Sequence, residues 1–232
     1  RFSLSSDQVL TMPSGTRPPK TLMPRQTARK RVCSELGIND ETARLAGFVG
    51  RLSEDKGISL VIKAFEKVRR RFSAHHLVIV GLGLDDYVAS LRALAGRLGI
   101  EDRVHFTGFK ENVWHYYRAF DLSLLASQDV DGIPFEGVPQ SILESMFSGC
   151  PVVGAKSGGV PDVIEHEKTG LLFDGSDPAD LAEKIIRTIS DPEAAALRVD
   201  NARQMVNRTY TIDAMGEKAL AAYTRFFNTI QY

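Results

Sequence analysis

The chain has 232 residues, with 29 Lys and Arg against 29 Asp and Glu, and 43% of its residues are hydrophobic. At about 150 residues per domain this is one large domain or two small ones, burying roughly 70–75% of the unfolded chain's surface. Zero net charge and the lack of any RNA- or DNA-binding motif argue against nucleic acid as a partner, since non-specific binding needs a basic field.

Cys33 and Cys150 stand far apart, and His75, His76, His105, His115 and His166 show no metal-ligand spacing. Neither a disulfide framework nor a metal site is expected. There is no run of about 18 apolar residues, and the N-terminus has neither Met nor a signal-peptide core. The chain therefore reads as a cytoplasmic piece of something longer.

Residues 8–34 carry Arg17, Lys20, Arg25, Arg29, Lys30 and Arg31 without an acid, broken by Pro13, Pro18, Pro19 and Pro24. Such a segment predicts an extended surface connection whose charges form a solvated face, with contact to an acidic partner or an anionic membrane as the other reading. From residue 44 apolar runs begin at Leu45, Leu77, Val104, Leu122, Pro151 and Gly170, separated by amphipathic segments near 57–71, 85–99, 111–119, 138–149 and 178–190. The runs are nearly continuous rather than alternating, which predicts strands buried on both faces of a parallel sheet. The fold class expected is α/β, a doubly wound Rossmann-like sheet flanked by helices, with more helix after residue 190 and a last helix over 212–231. His75 and His76 open the second strand, while Trp114, Tyr116 and Tyr117 are expected to pack in the core.

Ligands of such sheets sit beyond the carboxyl ends of the strands, so the loops 50–57, 81–86, 107–110, 127–139 and 155–161 are where chemistry is sought. In the first loop Arg51 and Lys56 lie in a turn bounded by Gly50 and Gly57 and can meet on one diphosphate; equally, Arg51 can be a surface group paired with Glu54 or Asp55. As a diphosphate clamp, either cation could be lost with melting temperature barely moved. Gly81-Leu82-Gly83 falls short of a dinucleotide fingerprint because Asp86 stands at the third glycine, leaving a tight turn or a close approach of backbone to ligand. In the fourth loop Pro139 suits the first position of a helix, which leaves the amides of Gln140 and Ser141 free for a phosphate. Glu136 precedes that helix and Glu144 lies inside it, so the two suit different hydroxyl-bearing parts of one ligand, such as a vicinal diol. The plainer reading makes Glu136 a helix-dipole partner and Glu144 a solvated residue. Gly158-Gly159 form either a turn or a close ligand approach, and His105 sits at a strand end that could face the ligand.

Gly50-Arg51-x4-Lys56-Gly57, Val80-Gly81-x-Gly83, Val104-x-Phe106-x-Gly108, Glu136-x7-Glu144, Gly149-x-Pro151-Val152-Val153, Ser157-Gly158-Gly159-x-Pro161 and Thr169-Gly170-Leu171-Leu172 together resemble the nucleotide-sugar-binding half of the family 4 retaining glycosyltransferases, or glycosyl transferases group 1, of GT-B fold. The resemblance covers about residues 8–231. It implies a connecting segment with a first strand over 1–43 packed on the main domain, a donor-binding domain over 44–211, and a C-terminal helix over 212–232 crossing to a missing N-terminal acceptor domain. It makes Arg51, Lys56 and Glu136 the catalytic candidates, with Gly50 and Gly81 lining the donor site and the backbone around His105 and Phe106 on the base. Glu144 would take the ribose, Glu136 with Gly137, Val138 and Pro139 the sugar, and the Gln140 and Ser141 amides the phosphate. Ser14 replaces an Asn usual in the family's crossing segment.

The implied reaction is metal-free and cofactor-free hexosyl transfer with retention from a nucleoside diphosphate sugar, UDP ahead of GDP, to a glycan or lipid-linked acceptor. Glu136 is either a nucleophile or a positioning group; same-face attack with Glu136 positioning is preferred, because no partner acid is evident. The whole protein is expected in the cytoplasm, with peripheral association at the inner face of the membrane, and the fragment can self-associate through its last helix. Alternatives are a non-catalytic nucleotide-binding or regulatory module and a GT-B-fold epimerase.

Overall fold

The computed structural model describes residues 14–129, 132–133 and 136–229. Among them, β1 (Arg44–Val49), β2 (His75–Val80), β3 (Val104–Gly108), β4 (Leu122–Leu125), β5 (Val152–Ala155) and β6 (Leu171–Phe173) form one all-parallel sheet in the order β3-β2-β1-β4-β5-β6. All six residues of β2 are buried, as its unbroken apolar run predicts for a strand covered on both faces. The helices are α1 (Arg25–Glu35), α2 (Ile58–Arg71), α3 (Asp85–Arg97), α4 (Trp114–Ala119), α5 (Gln140–Phe147), α6 (Val160–Val163), α7 (Pro178–Ser190), α8 (Pro192–Thr209) and α9 (Ile212–Thr229). Helices α2, α3 and α7 pack together over one face of the sheet, and α1, α4 and α5, with α8 against α5, cover the other.

The chain builds β1, β2 and β3 outward in one direction, then crosses back to place β4 beside β1. The carboxyl ends of β1 and β4 therefore diverge into loops on opposite sides, and this reversal of strand order makes the crevice in which sheets of this kind hold ligands.

The basic N-terminal segment departs from the extended connection its prolines suggest. Past Pro24 it forms α1, which buries only Ala28 and Val32. These pack with Tyr116, Tyr117 and Phe120, and polar bonds add to that hold: Arg25 and Arg29 donate to Oδ1 of Asp121 at 2.8 and 2.6 Å, and the Leu45 amide donates to Oδ2 at 2.7 Å. Part of the charge expected on a solvated face is thus neutralised inside the fold. Residues 14–43 hold no strand of their own, only a single bridge between Thr16 and Thr211, where the entering chain is tied to the α8–α9 junction. The expected segment ahead of residue 14 lies outside the described residues. Among the described residues, no helix is long and apolar enough to cross a membrane.

Candidate functional site

The loop after β1 and the loop after β4 meet at the switch in strand order. The Gln128 amide donates to the Asp55 carbonyl at 2.8 Å, joining the two backbones. Above that contact the Lys56 ammonium lies 2.6 Å from Oε2 of Glu136, with the side chains only 17% and 13% exposed. The same oxygen accepts a 2.6 Å hydrogen bond from the hydroxyl of Ser127, a buried residue just beyond β4. A cation and a carboxylate separated by 80 residues are thereby fixed side by side at the mouth of the crevice.

Arg51 reaches the same corner from outside. Its guanidinium is 71% exposed, bonded to Ser53 at 3.2 Å and paired with Asp55 at 3.4 Å, and Asp55 is also 3.9 Å from Lys56. The surface pairing and the shared corner are both present, because Asp55 stands between the two cations. Burial raises the Asp55 pKa, but the Ser53 bond and the two cations outweigh it and leave it lowered.

Helix α5 starts at Gln140, one residue later than Pro139 suggested, with Pro139 at the N-cap. The Pro139 carbonyl accepts from the amides of Ile142 and Leu143 at 3.1 and 3.2 Å. The amides of Gln140 and Ser141 have no acceptor among the described residues, so the expected pair of free donors stays open at the helix N-terminus. Gly137 is exposed there, while Val138 packs against the core. Glu144, half-buried in α5, accepts from the Tyr117 hydroxyl at 3.0 Å, which excludes the freely solvated role.

The glycine pairs serve protein backbone. Gly81, at φ +144°, donates from its amide to the Gly108 carbonyl, and a Cβ on it would lie 1.8 Å from the Gly50 carbonyl oxygen. Gly158, at φ +52°, leaves room for the Glu136 carbonyl, which a Cβ would meet at 2.3 Å and to which the Gly159 amide donates at 2.8 Å. The Ser-Gly-Gly turn after β5 therefore clamps the backbone of Glu136.

His105 does not stand at the strand end. It pairs in register with Val78, in the first half of β3. Its Nε2 lies 2.9 Å from Nδ1 of His76, whose Nε2 is 2.9 Å from the Arg103 guanidinium. Burial, then His105 and Arg103, push His76 down to about 4, and burial, then Arg103, lower His105 as well. Phe106 turns to the opposite face, with the Arg92 guanidinium 4.5 Å from its ring centre. The group that does emerge at the carboxyl end of β3 is Phe109, 68% exposed, and Leu82, 61% exposed, follows β2. Sequence reasoning named the loop but not Phe109, and passed over Ser127 and the hydroxyl of Tyr117. A cleft of about 400 Å³ lined by Arg25, Arg44, His75 and Asp121 lies at the amino edge instead, with Arg25 and Asp121 already paired.

No group of three or more metal-ligating side chains occurs among the described residues. The cations, the open amides and the Glu136 carboxylate at the crevice are groups that can meet a ligand carrying both phosphates and hydroxyls.

The profile of the family described as Glycosyl transferases group 1 matches residues 35–205. The chain is 32% identical over 180 residues to the GDP-mannose-dependent alpha-(1-6)-phosphatidylinositol monomannoside mannosyltransferase of Mycobacterium tuberculosis, over 76% of this chain and 46% of that protein. It is 30% identical over 193 residues to the N-acetyl-alpha-D-glucosaminyl L-malate synthase of Bacillus anthracis, over 83% of this chain and 47% of that protein. Among solved structures, Anabaena Alr3699/HepE in complex with UDP superposes with a TM-score of 0.76 at 26% identity, over 88% of this chain and 56% of that one. The chain thus spans about half the length of the relatives it matches. The matched region takes in every strand of the sheet and both loops that meet at the crevice, and with its Rossmann-like sheet of GT-B type the chain belongs to the Glycosyl transferases group 1 family.

Proposed function

We propose that this chain is the donor-binding half of a two-domain hexosyltransferase and holds a nucleoside diphosphate sugar at the carboxyl edge of the sheet. The observation that carries the reading is the Lys56–Glu136 pair at the switch in strand order, with the free amides of Gln140 and Ser141 opening the helix that follows Glu136. Lys56 and the more exposed Arg51 take the diphosphate, the α5 amides take a phosphate oxygen, Glu144 takes the ribose diol and Glu136 the hexosyl hydroxyls. As the sugar–phosphate bond breaks, negative charge grows on the leaving diphosphate, and these cations and amides are already in place to receive it, so no metal is required.

Glu136 acts as a positioning group, with same-face attack and retention at the anomeric carbon. Lys56 and Ser127 both donate to Oε2 of Glu136, which fixes the direction of the carboxylate, as a positioning group requires. Relatives named for GDP-mannose and neighbours solved with UDP make these two nucleotides the first to test, UDP ahead. The acceptor side belongs to a further N-terminal domain, and the whole enzyme works in the cytoplasm, at the inner face of the membrane where its acceptor is lipid-linked.

Calorimetry with UDP, GDP and their hexose conjugates tests the division of labour. Glu144→Ala is expected to weaken nucleoside diphosphate and nucleotide sugar alike, while Glu136→Ala penalises the sugar-bearing ligand. Equal losses for both ligands in both variants reject the assignment.

A further inference from the structure

Helix α4 carries a tyrosine where packing asks only for an aromatic ring. Tyr117 is 1% exposed, and its ring packs edge-on against Trp114 and Phe120, with centroids 6.4 and 6.3 Å away. A phenol hydroxyl at that depth costs stability unless it is hydrogen-bonded, and phenylalanine would fill the same space without that liability. The hydroxyl has one partner among the described residues, Oε2 of Glu144 on the neighbouring α5, at 3.0 Å. Oε1 of Glu144 has no hydrogen-bond partner among them.

A carboxylate at the end of a glutamate side chain rotates freely unless something fixes it, and a diol is best received by an oxygen already held in position. We propose that Tyr117 is the positioning residue for Glu144, holding the carboxylate through one oxygen so that the other accepts from a vicinal diol of the bound nucleotide. The proposal rests on the donor-site reading above. Burial pushes the Glu144 carboxyl up and leaves it raised, and the Tyr117 bond works against that shift.

The alternative is that Glu144 merely satisfies a buried hydroxyl. The two are separated by calorimetry on the 232-residue chain with UDP, GDP and the 2′,3′-dideoxy form of each. The unaltered chain is expected to prefer the nucleotide that keeps its diol. Tyr117→Phe is expected to shrink that preference by about five- to tenfold, with the dideoxy ligand bound as before and the melting temperature little changed. In a Glu144→Ala background Tyr117→Phe should cause no further loss of affinity, because the two act as one unit. An unchanged diol preference in Tyr117→Phe, or an additional loss in the Glu144→Ala background, overturns the positioning role and leaves donor binding standing. An unaltered chain that binds none of the four nucleotides overturns the donor reading, and this proposal with it.

Discussion

Lys56 and Glu136 are each other's main counter-charge, held 2.6 Å apart with most of both side chains out of water. A cation that served only as a diphosphate clamp would leave melting temperature unmoved when removed. The pair changes that expectation, because Lys56→Ala leaves the Glu136 carboxylate, among the described residues, with the Ser127 bond alone. We expect a stability loss of about 1–3 kcal/mol, below the range for a fully buried pair, and partial recovery when Glu136→Gln is added. Nucleoside diphosphate affinity should fall about tenfold or more in the same variant. Thermal unfolding and calorimetry check the two effects, and unchanged affinity counts against the clamp. Gly158→Ala acts on the same residue from behind, since its Cβ would press 2.3 Å from the Glu136 carbonyl oxygen at a φ of +52°. The expected loss is about 2–4 kcal/mol, together with weaker nucleotide-sugar binding. A Gly158→Ala chain with unaltered urea midpoint would show that the turn gives way without cost.

Among the elements, α1 is held by charge as well as by the packing of Ala28 and Val32. Its attachment runs through Asp121, which accepts from Arg25, Arg29 and the Leu45 amide. Burial raises the Asp121 carboxyl, but the Arg29 contact, the Leu45 bond and Arg25 outweigh it, so the folded-state value lies below the ordinary one. A depressed folded value stabilises the fold above the unfolded value of about 3.9, and that stabilisation is lost as pH falls through the folded value. Asp121→Asn should therefore cost about 1–3 kcal/mol at neutral pH. The gap from the unaltered chain should hold down to about pH 5 and narrow below about pH 3.9. Urea titrations over that range decide it, and a gap independent of pH would show that the charge of Asp121 does not hold α1.

For the whole molecule, α9 is the least integrated part. Leu220, Tyr223, Phe226 and Phe227 are 69%, 64%, 60% and 66% exposed on it, whereas Met215, Ala219 and Ala222 are half-buried. Apolar side chains gathered this densely on one helix tend to find another surface. On the proposed two-domain reading we expect that surface to be the N-terminal domain, and for this chain alone we expect it to be a second copy. Light scattering should find concentration-dependent association, and Phe226→Ser should reduce it without weakening nucleotide binding. A monodisperse monomer at all concentrations would refute the expectation.

Burial is a local signal, and the features that depend on it are legible in the order of residues. Unbroken apolar runs marked strands covered on both faces, and every strand and each helix from α2 onward except the one-turn α6 lies close to its expected place. The spacing of Glu136 and Glu144 put one before α5 and the other within it. Pairing between distant residues carries no local period and emerges only once the chain is folded. Helix α1 read as a surface connection because the carboxylate its arginines need is 92 and 96 residues away. Lys56 found its counter-charge 80 residues on, and Tyr117 an acceptor 27 residues on, across a boundary between helices. His105 was misplaced because Val104-x-Phe106-x-Gly108 does not say where the strand ends, and its register with β2 does. Periodicity reports which side of an element meets the core, whereas a site is a set of distances between elements, and those arise only when the sheet has brought β1 beside β4.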